Sequence, residues 1–154
     1  MKLSHLLTPD QILVPFGAPD KWAAIAAMPM ALVAAGRLEA ERESLAVEAL
    51  ITRERSMTTG MENGVAIPHA ALDELTEVLC VLAIAHQGIA FDTLDQEPGR
   101  ILVGLLIPRT EKLLHIRTLA AIAKLLSRSE LREDLLSCRD PAAALRTIRA
   151  AEGV

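Results

Sequence analysis

Two apolar runs of strand length constrain the fold of this chain more than any other feature of its sequence. Val78 to Ala85 is an almost continuous aliphatic run, and Ile101 to Ile107 is a second one, which Pro108 ends. Such runs are typical of strands that are buried on both faces of a sheet. Helical periodicity occurs both before the first run and after the second. The order of helices, then strands, then helices predicts a mixed α/β sandwich.

Helix boundaries are indicated by capping residues and by changes of apolar period. Before the strands, the predicted helices start at Thr8-Pro9-Asp10-Gln11, run from Asp20 to about Ala35, and run from Leu38 to Thr52. After the strands, they run from Leu113 to Leu126, begin again at Ser127 to Glu130, and run from Asp140-Pro141 to about Ala150. A shorter strand is expected at Gly88 to Phe91.

Length and composition limit the classes of protein to which the chain can belong. The 154 residues suit one domain, residues 1–154, long enough to bury roughly two-thirds of its unfolded surface. A net charge of -4 and an aromatic content of 2% argue against nucleic-acid binding, which usually needs a basic face or stacking rings. Cys80 is expected to be a small core residue. The apolar runs are too short to cross a bilayer and no segment reads as a signal peptide, so we expect a cytoplasmic protein without membrane insertion.

A glycine-rich segment in the middle of the chain holds a histidine in a rigid setting. Gly60 and Gly64 can adopt backbone angles that are closed to other residues, which predicts a sharp turn. Val65 to Ile67 then suit a short buried strand, and Pro68 fixes its own φ and lacks a backbone donor. His69 is therefore expected at the end of a strand. Such a rigid backbone position suits a nucleophile or a base, because the position of its reacting nitrogen must be fixed to within a fraction of an ångström.

Two further side chains could share a site with His69. His115 falls at the start of a periodic helix, just after the loop that leaves the last strand, and such corners gather at one edge of a sheet. Arg53 ends the third helix. One cation and two imidazoles that converge would suit a transferable anionic group. The residues alone leave open whether all three are unrelated surface side chains. His5 and His86 are expected to face solvent.

Several short motifs follow one another with the spacing of a known family. They are Arg53-Glu54, Thr58-Thr59-Gly60, Gly64 to His69, Ala90-Phe91-Asp92, Asp95, Pro98, Leu105 to Pro108 and His115. In this order they resemble the IIA component of the bacterial phosphoenolpyruvate-dependent phosphotransferase system, in its fructose/mannitol class and closest to the nitrogen-regulatory branch. The resemblance implies a mixed sheet flanked by helices in a three-layer sandwich. The residues before Arg53 match only in their helical pattern.

The resemblance implies a phosphocarrier that needs no metal and no cofactor. His69 would accept a phosphoryl group from a phosphohistidine on the carrier HPr or its nitrogen-branch paralogue. His115 would be the neighbouring histidine, and Arg53 would contact the phosphate through its planar fork. Positioning and fixed positive donors supply most of the catalysis in such a transfer. Residues that would support the phosphate are Thr58, Thr59 and Asn63.

Departures from the family pattern leave alternatives open. Ala70 and Ala71 follow His69, where the nitrogen-regulatory branch often has Gly and then a basic residue. The chain has no IIB-type cysteine loop, which favours a stand-alone regulatory IIA. The alternatives are a sugar-specific IIA that passes phosphate to a separate IIB, and a non-phosphorylated IIA-fold module that docks to a regulatory target protein. Asn63 can equally be a turn former. A hydrolase with His69 as the base lacks a nucleophile and a metal site.

Overall fold

The computed structural model describes residues 1–154 and contains one five-stranded sheet. The strands are β1 (Ile12–Leu13), β2 (Val65–Ala66), β3 (His69–Leu72), β4 (Leu79–Ile89) and β5 (Gly99–Pro108). The helices are α1 (Lys21–Ala34), α2 (Glu43–Ser56), α3 (Lys112–Leu126), α4 (Ser129–Ser137) and α5 (Pro141–Glu152). Short 3₁₀ turns cover Leu3–Leu6, Pro9–Gln11 and Ala40–Arg42. None of the helices combines the length and the apolar character that crossing a membrane requires.

The sheet is mixed because its central pair is antiparallel and its other pairs are parallel. β4 and β5 pair antiparallel in the middle of the sheet. β1 pairs parallel with β4, and β2 and β3 both pair parallel with β5. The carboxyl ends of β3 and β5 therefore lie at the same end of the sheet.

Helices cover both faces of the sheet. One core packs α1 and α2 against the first face and includes Ile25, Leu50 and Val81. The other packs α3, α4 and α5 against the opposite face and includes Leu82 and Ile122. Val81 and Leu82 are consecutive in β4 and point to opposite faces, as strand geometry requires. The apolar composition of β4 and β5 thus follows from burial on both sides, and the predicted mixed α/β sandwich of three layers is confirmed.

Aspartate caps begin two of the helices, as the sequence predicted. The Asp20 carboxylate accepts a hydrogen bond from the Ala23 N–H at 2.8 Å, at the start of α1. Asp140 accepts one from the Ala143 N–H at 2.9 Å, at the start of α5. Each carboxylate satisfies a backbone donor that the first helical turn leaves without a partner.

The predicted helix start at Thr8 was wrong. Thr8 and Gln11 form a capping box, but the turn Pro9–Gln11 ends at once and leads into β1. The Gln11 carboxamide donates a hydrogen bond to the Cys80 carbonyl of β4 at 2.8 Å. This tertiary contact ties the turn to the sheet, and the capping pattern alone could not reveal it.

Two other predicted boundaries differ from those in the structure. The helix expected from Leu38 to Thr52 begins at Glu43, because Leu38 packs into the core ahead of the 3₁₀ turn. The separate strand expected at Gly88 to Phe91 does not exist, since β4 continues to Ile89 after an irregularity in its register.

Gly60 and Gly64 are both needed in the loop before β2, but for different physical reasons. Gly64 has a φ of 75°, the left-handed conformation that the sequence suggested. Gly60 does not have a positive φ, so the expectation of an unusual backbone angle there was wrong. A Cβ at Gly60 would lie 2.6 Å from the Phe91 carbonyl oxygen and 2.7 Å from the Thr93 methyl carbon. Gly60 is therefore required by close packing against the segment that follows β4.

Replacing Gly60 by Ala is expected to lower the free energy of unfolding by about 1–3 kcal/mol, because the new methyl group overpacks against the Phe91 backbone. Gly17→Ala is the matched control, since a Cβ at Gly17 meets nothing within 4 Å. The control should change the free energy of unfolding by less than about 1 kcal/mol. Urea denaturation measures both values, and equal stabilities of the two variants would contradict the close contact.

Candidate functional site

β2 and β3 lie along the same side of β5, and His69 lies at the interruption between them. Ala66 and His69 pair with Leu102 and Leu105 of β5, and the buried Pro68 separates the two strands. Pro68 has no N–H to contribute to the ladder, although its carbonyl accepts a hydrogen bond from the Leu105 N–H at 2.9 Å. As predicted, His69 follows the short strand that contains Val65 and Ala66 and lies at a strand end. The strand to which it belongs, β3, begins at His69 and was not predicted.

A backbone carbonyl holds the imidazole ring of His69. Its Nδ1 lies 2.7 Å from the Ile67 carbonyl oxygen. A carbonyl can only accept a hydrogen bond, so Nδ1 carries the proton. In the neutral ring Nε2 then keeps a free lone pair. The half-buried ring thus has one defined tautomer with Nε2 as its nucleophilic nitrogen.

His115 lies in the first turn of α3, beside His69. The two ring centroids are 5.4 Å apart and the ring planes form an angle of 81°, an edge-to-face arrangement. The apolar repeat of α3 does not all face the core: Leu126 is buried, whereas Leu113 and Ile116 are 59% and 65% exposed. The turn that carries His115 therefore presents apolar side chains to solvent.

Arg53 brings a positive charge to the same groove from the last turn of α2. Its Nη1 donates a hydrogen bond to the Met57 carbonyl at 2.6 Å. No carboxylate oxygen lies within 4.0 Å of its guanidinium nitrogens. Arg53, His69 and His115 line one open groove with a volume of about 700 Å³, inside the range of about 300–1,000 Å³ that ligand pockets cover. The charge of Arg53 is thus available to an anion.

A second cation lines this groove near the position where Ala71 follows the histidine segment. Arg109 donates a hydrogen bond from Nε to the Asp73 carboxylate at 2.7 Å and another from Nη2 to the Ala71 carbonyl at 3.4 Å. Ala70 is buried in β3. The groove therefore contains a basic side chain close to residue 71, although residue 71 itself is Ala.

Burial and positive charge favour the neutral forms of both histidines. The pKa of His69 is lowered chiefly by burial and further by the charges of Arg53 and His115. The hydrogen bond to the Ile67 carbonyl and the Glu54 carboxylate act in the opposite direction. The pKa of His115 is lowered by burial and then by Arg53. Both rings are therefore mainly neutral near pH 7, and the neutral form is the one in which an imidazole can act as a nucleophile.

His69 and His115 are expected to titrate with midpoints below the ordinary histidine value of about 6.5. Because both pKa values are lowered by folding, the unfolded chain binds more protons at mildly acidic pH. The contribution of both rings to the free energy of unfolding is therefore complete above about pH 6.5 and is lost as the pH falls through the folded midpoints. An NMR titration of the ring resonances measures these midpoints, and values above about 6.5 would contradict the effect of burial and of the Arg53 charge on the two rings.

The two threonines predicted to support a phosphate lie on one side of His69. Thr58 and Thr59 line a smaller, largely apolar pocket together with that ring. The Thr58 hydroxyl donates to the Phe91 carbonyl, and the Thr59 hydroxyl donates to the Glu54 carboxylate. Both hydroxyl protons are thus directed to acceptors within the protein.

Asn63 lies apart from the groove of His69, Arg53 and His115. It is exposed and has a φ of 63°, a left-handed conformation that Asn tolerates better than most residues. Its backbone N–H donates to the Asp95 carboxylate at 2.8 Å. Asn63 therefore occupies a turn position in this structure.

A buried ion pair next to the groove joins two residues whose contact the sequence does not predict. Glu54 is 3% exposed and accepts a hydrogen bond from Lys21 Nζ at 3.2 Å. Because the two residues belong to α2 and α1, their pairing depends on how these helices pack. The burial of Glu54, by contrast, has a local signal, since Ala46, Leu50 and Glu54 recur at the helical spacing and are the buried residues of α2.

The cysteines and the other histidines lie outside the groove. Cys80 is fully buried in the core, as predicted, and burial raises the pKa of its thiol. His5 is exposed, as predicted. The expectation that His86 faces solvent was wrong, because its ring is half-buried and its Nε2 lies 3.2 Å from the Cys138 carbonyl oxygen.

Comparison with known sequences shows which proteins this chain is similar to. The family profile described as "Phosphoenolpyruvate-dependent sugar phosphotransferase system, EIIA 2" matches residues 5–151. A "Nitrogen regulatory protein" of Bradyrhizobium diazoefficiens is 30% identical over 140 residues, which cover 91% of this chain and 90% of that protein. A "PTS system fructose-specific EIIA component" of Haloferax volcanii is 36% identical over 104 residues, which cover 68% of this chain and 66% of that protein. The alignment spans about half the length of the nitrogen regulatory proteins that match at 41% identity.

Comparison with solved structures agrees at the level of the fold. The nitrogen regulatory protein IIA-Ntr from Neisseria meningitidis superposes with a TM-score of 0.84 over 95% of this chain and 98% of that chain, at 21% identity. A likeness at this identity shows a shared fold. Together with the profile match over nearly the whole sequence, it shows that the chain belongs to the EIIA 2 family of the phosphoenolpyruvate-dependent sugar phosphotransferase system.

Proposed function

We propose that this chain is a phosphocarrier whose His69 accepts a phosphoryl group from a phosphohistidine on an HPr-like protein. The observation that carries the proposal is the meeting of two imidazoles, 5.4 Å apart, with an arginine that has no carboxylate partner. Membership of the EIIA 2 family supports it. Residues 1–154 would form one such unit and would act in the cytoplasm, where we expect its donor to be.

The proposed transfer forms one bond and breaks one. The Nε2 lone pair of His69 attacks the phosphorus of the donor phosphohistidine. The phosphorus–nitrogen bond of the donor breaks, and its electron pair returns to the donor ring. The other nitrogen of the donor ring carries a proton, so the donor leaves as neutral imidazole. The Nδ1 proton of His69 stays in its hydrogen bond to the Ile67 carbonyl. Because donor and acceptor are both imidazoles, the exchange is close to balanced in free energy.

Arg53 and His115 would stabilise the charge on the transferred group. During transfer, negative charge spreads over three equatorial oxygens, so fixed donors aimed at them lower the barrier. The Arg53 guanidinium offers a planar fork with a full charge. His115 offers a hydrogen bond and, in its neutral form, does not hold the phosphoryl group by a permanent charge.

Exposed apolar side chains beside the groove suit brief docking of a carrier. Met57, Leu113 and Ile116 are 68%, 59% and 65% exposed, while Arg53 and Arg109 contribute charge to the groove. An apolar patch with a charged rim is typical of a protein interface. Two carriers must bring their imidazoles together and then separate, so a small and weak interface is expected.

We further propose a regulatory role of the nitrogen type, because a nitrogen regulatory protein aligns over 90% of its own length. The fructose-specific relative supports the alternative, a sugar-specific IIA that donates to a separate IIB. Mixing the phosphorylated protein with a purified IIB domain separates the two roles. Transfer of the phosphoryl group to the IIB domain would favour the sugar-specific role.

Incubation with phosphoenolpyruvate, enzyme I and an HPr-like carrier tests the phosphocarrier proposal. We expect the intact protein to gain one acid-labile phosphoryl group, and peptide mapping should locate it on His69. An unchanged mass in the presence of an active donor would contradict the proposal. It would favour the non-phosphorylated docking module instead.

A further inference from the structure

Glu54 is a buried carboxylate whose contacts fix the loop before β2. Its oxygens lie 3.0 and 3.2 Å from the Thr59 backbone nitrogen and also accept from the Thr59 hydroxyl. Lys21 supplies the compensating charge at 3.2 Å. Burying a carboxylate is costly unless it is paired and hydrogen-bonded. These contacts therefore hold Thr59 firmly against the end of α2.

Two hydrogen bonds, one between backbone groups and one from the ring to the backbone, connect Thr59 to the imidazole of the candidate site. The Thr59 carbonyl accepts from the Ile67 N–H at 3.1 Å. The Ile67 carbonyl in turn accepts from Nδ1 of His69 at 2.7 Å. The peptide that contains the Ile67 carbonyl decides which ring nitrogen carries the proton. A shift of Thr59 would therefore reach the ring through only two intervening hydrogen bonds.

The same loop also accepts a hydrogen bond from Arg53, whose positive charge lies in the groove. Arg53 and Glu54 are consecutive in the last turn of α2. Arg53 donates to the Met57 carbonyl, and Glu54 accepts from Thr59. Neighbouring side chains of one helix end thus bind neighbouring parts of one loop. A movement of this loop would therefore shift the positions of the guanidinium and the imidazole together.

We propose that Glu54 is a positioning residue that holds His69 in its Nδ1–H tautomer, with Nε2 free, through Thr59 and Ile67. Glu54 does not line the groove, so it would not touch the transferred group. Its effect on the rate of phosphoryl uptake rests on the proposed function, whereas its effect on the ring tautomer does not. Misplacing a reacting group by about 1 Å can lower a rate about 100-fold.

Glu54→Gln tests this proposal because it keeps the size of the side chain and removes one acceptor. The single amide oxygen of Gln cannot serve both Thr59 and Lys21, and its NH₂ group would face one of these donors. Asp92→Asn is the matched control. Asp92 also pairs with Lys21, at 3.0 Å, but makes no hydrogen bond to Thr59. Its φ of 52° is a conformation that Asn tolerates.

¹⁵N NMR of the His69 ring distinguishes the protonated nitrogen from the free one. We expect a single Nδ1–H tautomer in the wild type and in Asp92→Asn, and a mixture of tautomers in Glu54→Gln. The maximal rate of phosphoryl uptake from an HPr-like donor should fall about 10- to 100-fold in Glu54→Gln. The donor concentration at half-maximal rate should stay unchanged, because the buried carboxylate is outside the exposed surface that would meet the donor.

A folded Glu54→Gln protein with a single Nδ1–H tautomer would overturn the proposal, whatever its rate of uptake. If this variant does not fold, the double variant Lys21→Met/Glu54→Leu replaces the buried pair by apolar side chains, a change that proteins often tolerate. A single Nδ1–H tautomer in the double variant would overturn the proposal equally. If the wild type takes up no phosphoryl group, the proposed function fails, and the tautomer measurement still decides the role of Glu54.

Discussion

His69→Ala is expected to take up no phosphoryl group, whereas His115→Ala should retain uptake at a rate lowered by about 10- to 100-fold. The difference follows from the roles proposed for the two rings. Nδ1 of His69 donates a hydrogen bond to a backbone carbonyl, which leaves Nε2 free to form the new covalent bond to phosphorus. His115 supplies a hydrogen bond to a charged oxygen, and its loss slows the transfer without removing the nucleophile.

The measurement is the mass of the intact protein after timed incubation with a phosphorylated HPr-like donor. His5→Ala is the matched control, because His5 is exposed and lies outside the groove. This control should take up the phosphoryl group at the wild-type rate. Stable phosphorylation of His69→Ala on His115 would reverse the two roles. Equal rates in His115→Ala and the wild type would remove His115 from the proposed mechanism.

Arg53→Gln is expected to lower the rate of phosphoryl uptake by about 10²–10³-fold, since it removes a fixed charged donor from the transition state. It should also raise the pKa of both His69 and His115, because the charge of Arg53 lowers each of them. As the pH falls through the raised midpoint, a growing fraction of His69 is protonated and cannot attack. The rate deficit of Arg53→Gln should therefore increase at mildly acidic pH.

Arg53→Lys separates the charge of this side chain from its shape. Lys keeps the positive charge, so both histidine midpoints should stay close to those of the wild type. It lacks the planar fork of a guanidinium, so the rate of uptake should lie between those of Arg53→Gln and the wild type. NMR titrations and initial rates on the same three proteins measure both effects. Unchanged midpoints in Arg53→Gln would show that the Arg53 charge does not act on the two rings.

The fold was predictable where its signals are local. The apolar runs of β4 and β5 reflect burial on both faces, and the caps Asp20 and Asp140 act on the first turn of their own helices. The errors arose where a distant contact overrides a local pattern. The Thr8 turn is tied to β4 through Gln11, so the capping box there begins no α-helix. Such a bond joins residues far apart in sequence and leaves no periodic trace.

The candidate site was predictable only as a set of residues. Motif spacing singled out Arg53, His69 and His115, but spacing along a chain contains no distance between side chains. The interruption at Pro68 and the packing of α2 and α3 beside β3 and β5 determine that the rings lie 5.4 Å apart. Motif order also singled out Glu54 next to Arg53, but its pairing with Lys21 was not predictable, because that pairing requires α1 to lie beside α2.

Local residue patterns were enough to predict the buried strands, most of the helices and the family resemblance, because each depends on neighbouring residues or on motif order. Which charges are paired and which are free depends on how the helices and strands pack together. Arg53 keeps an unpaired charge, Glu54 has Lys21, and His69 has a single acceptor for its Nδ1 proton. These states are set by burial and by contacts between elements that are distant in sequence, and a linear sequence does not contain that information.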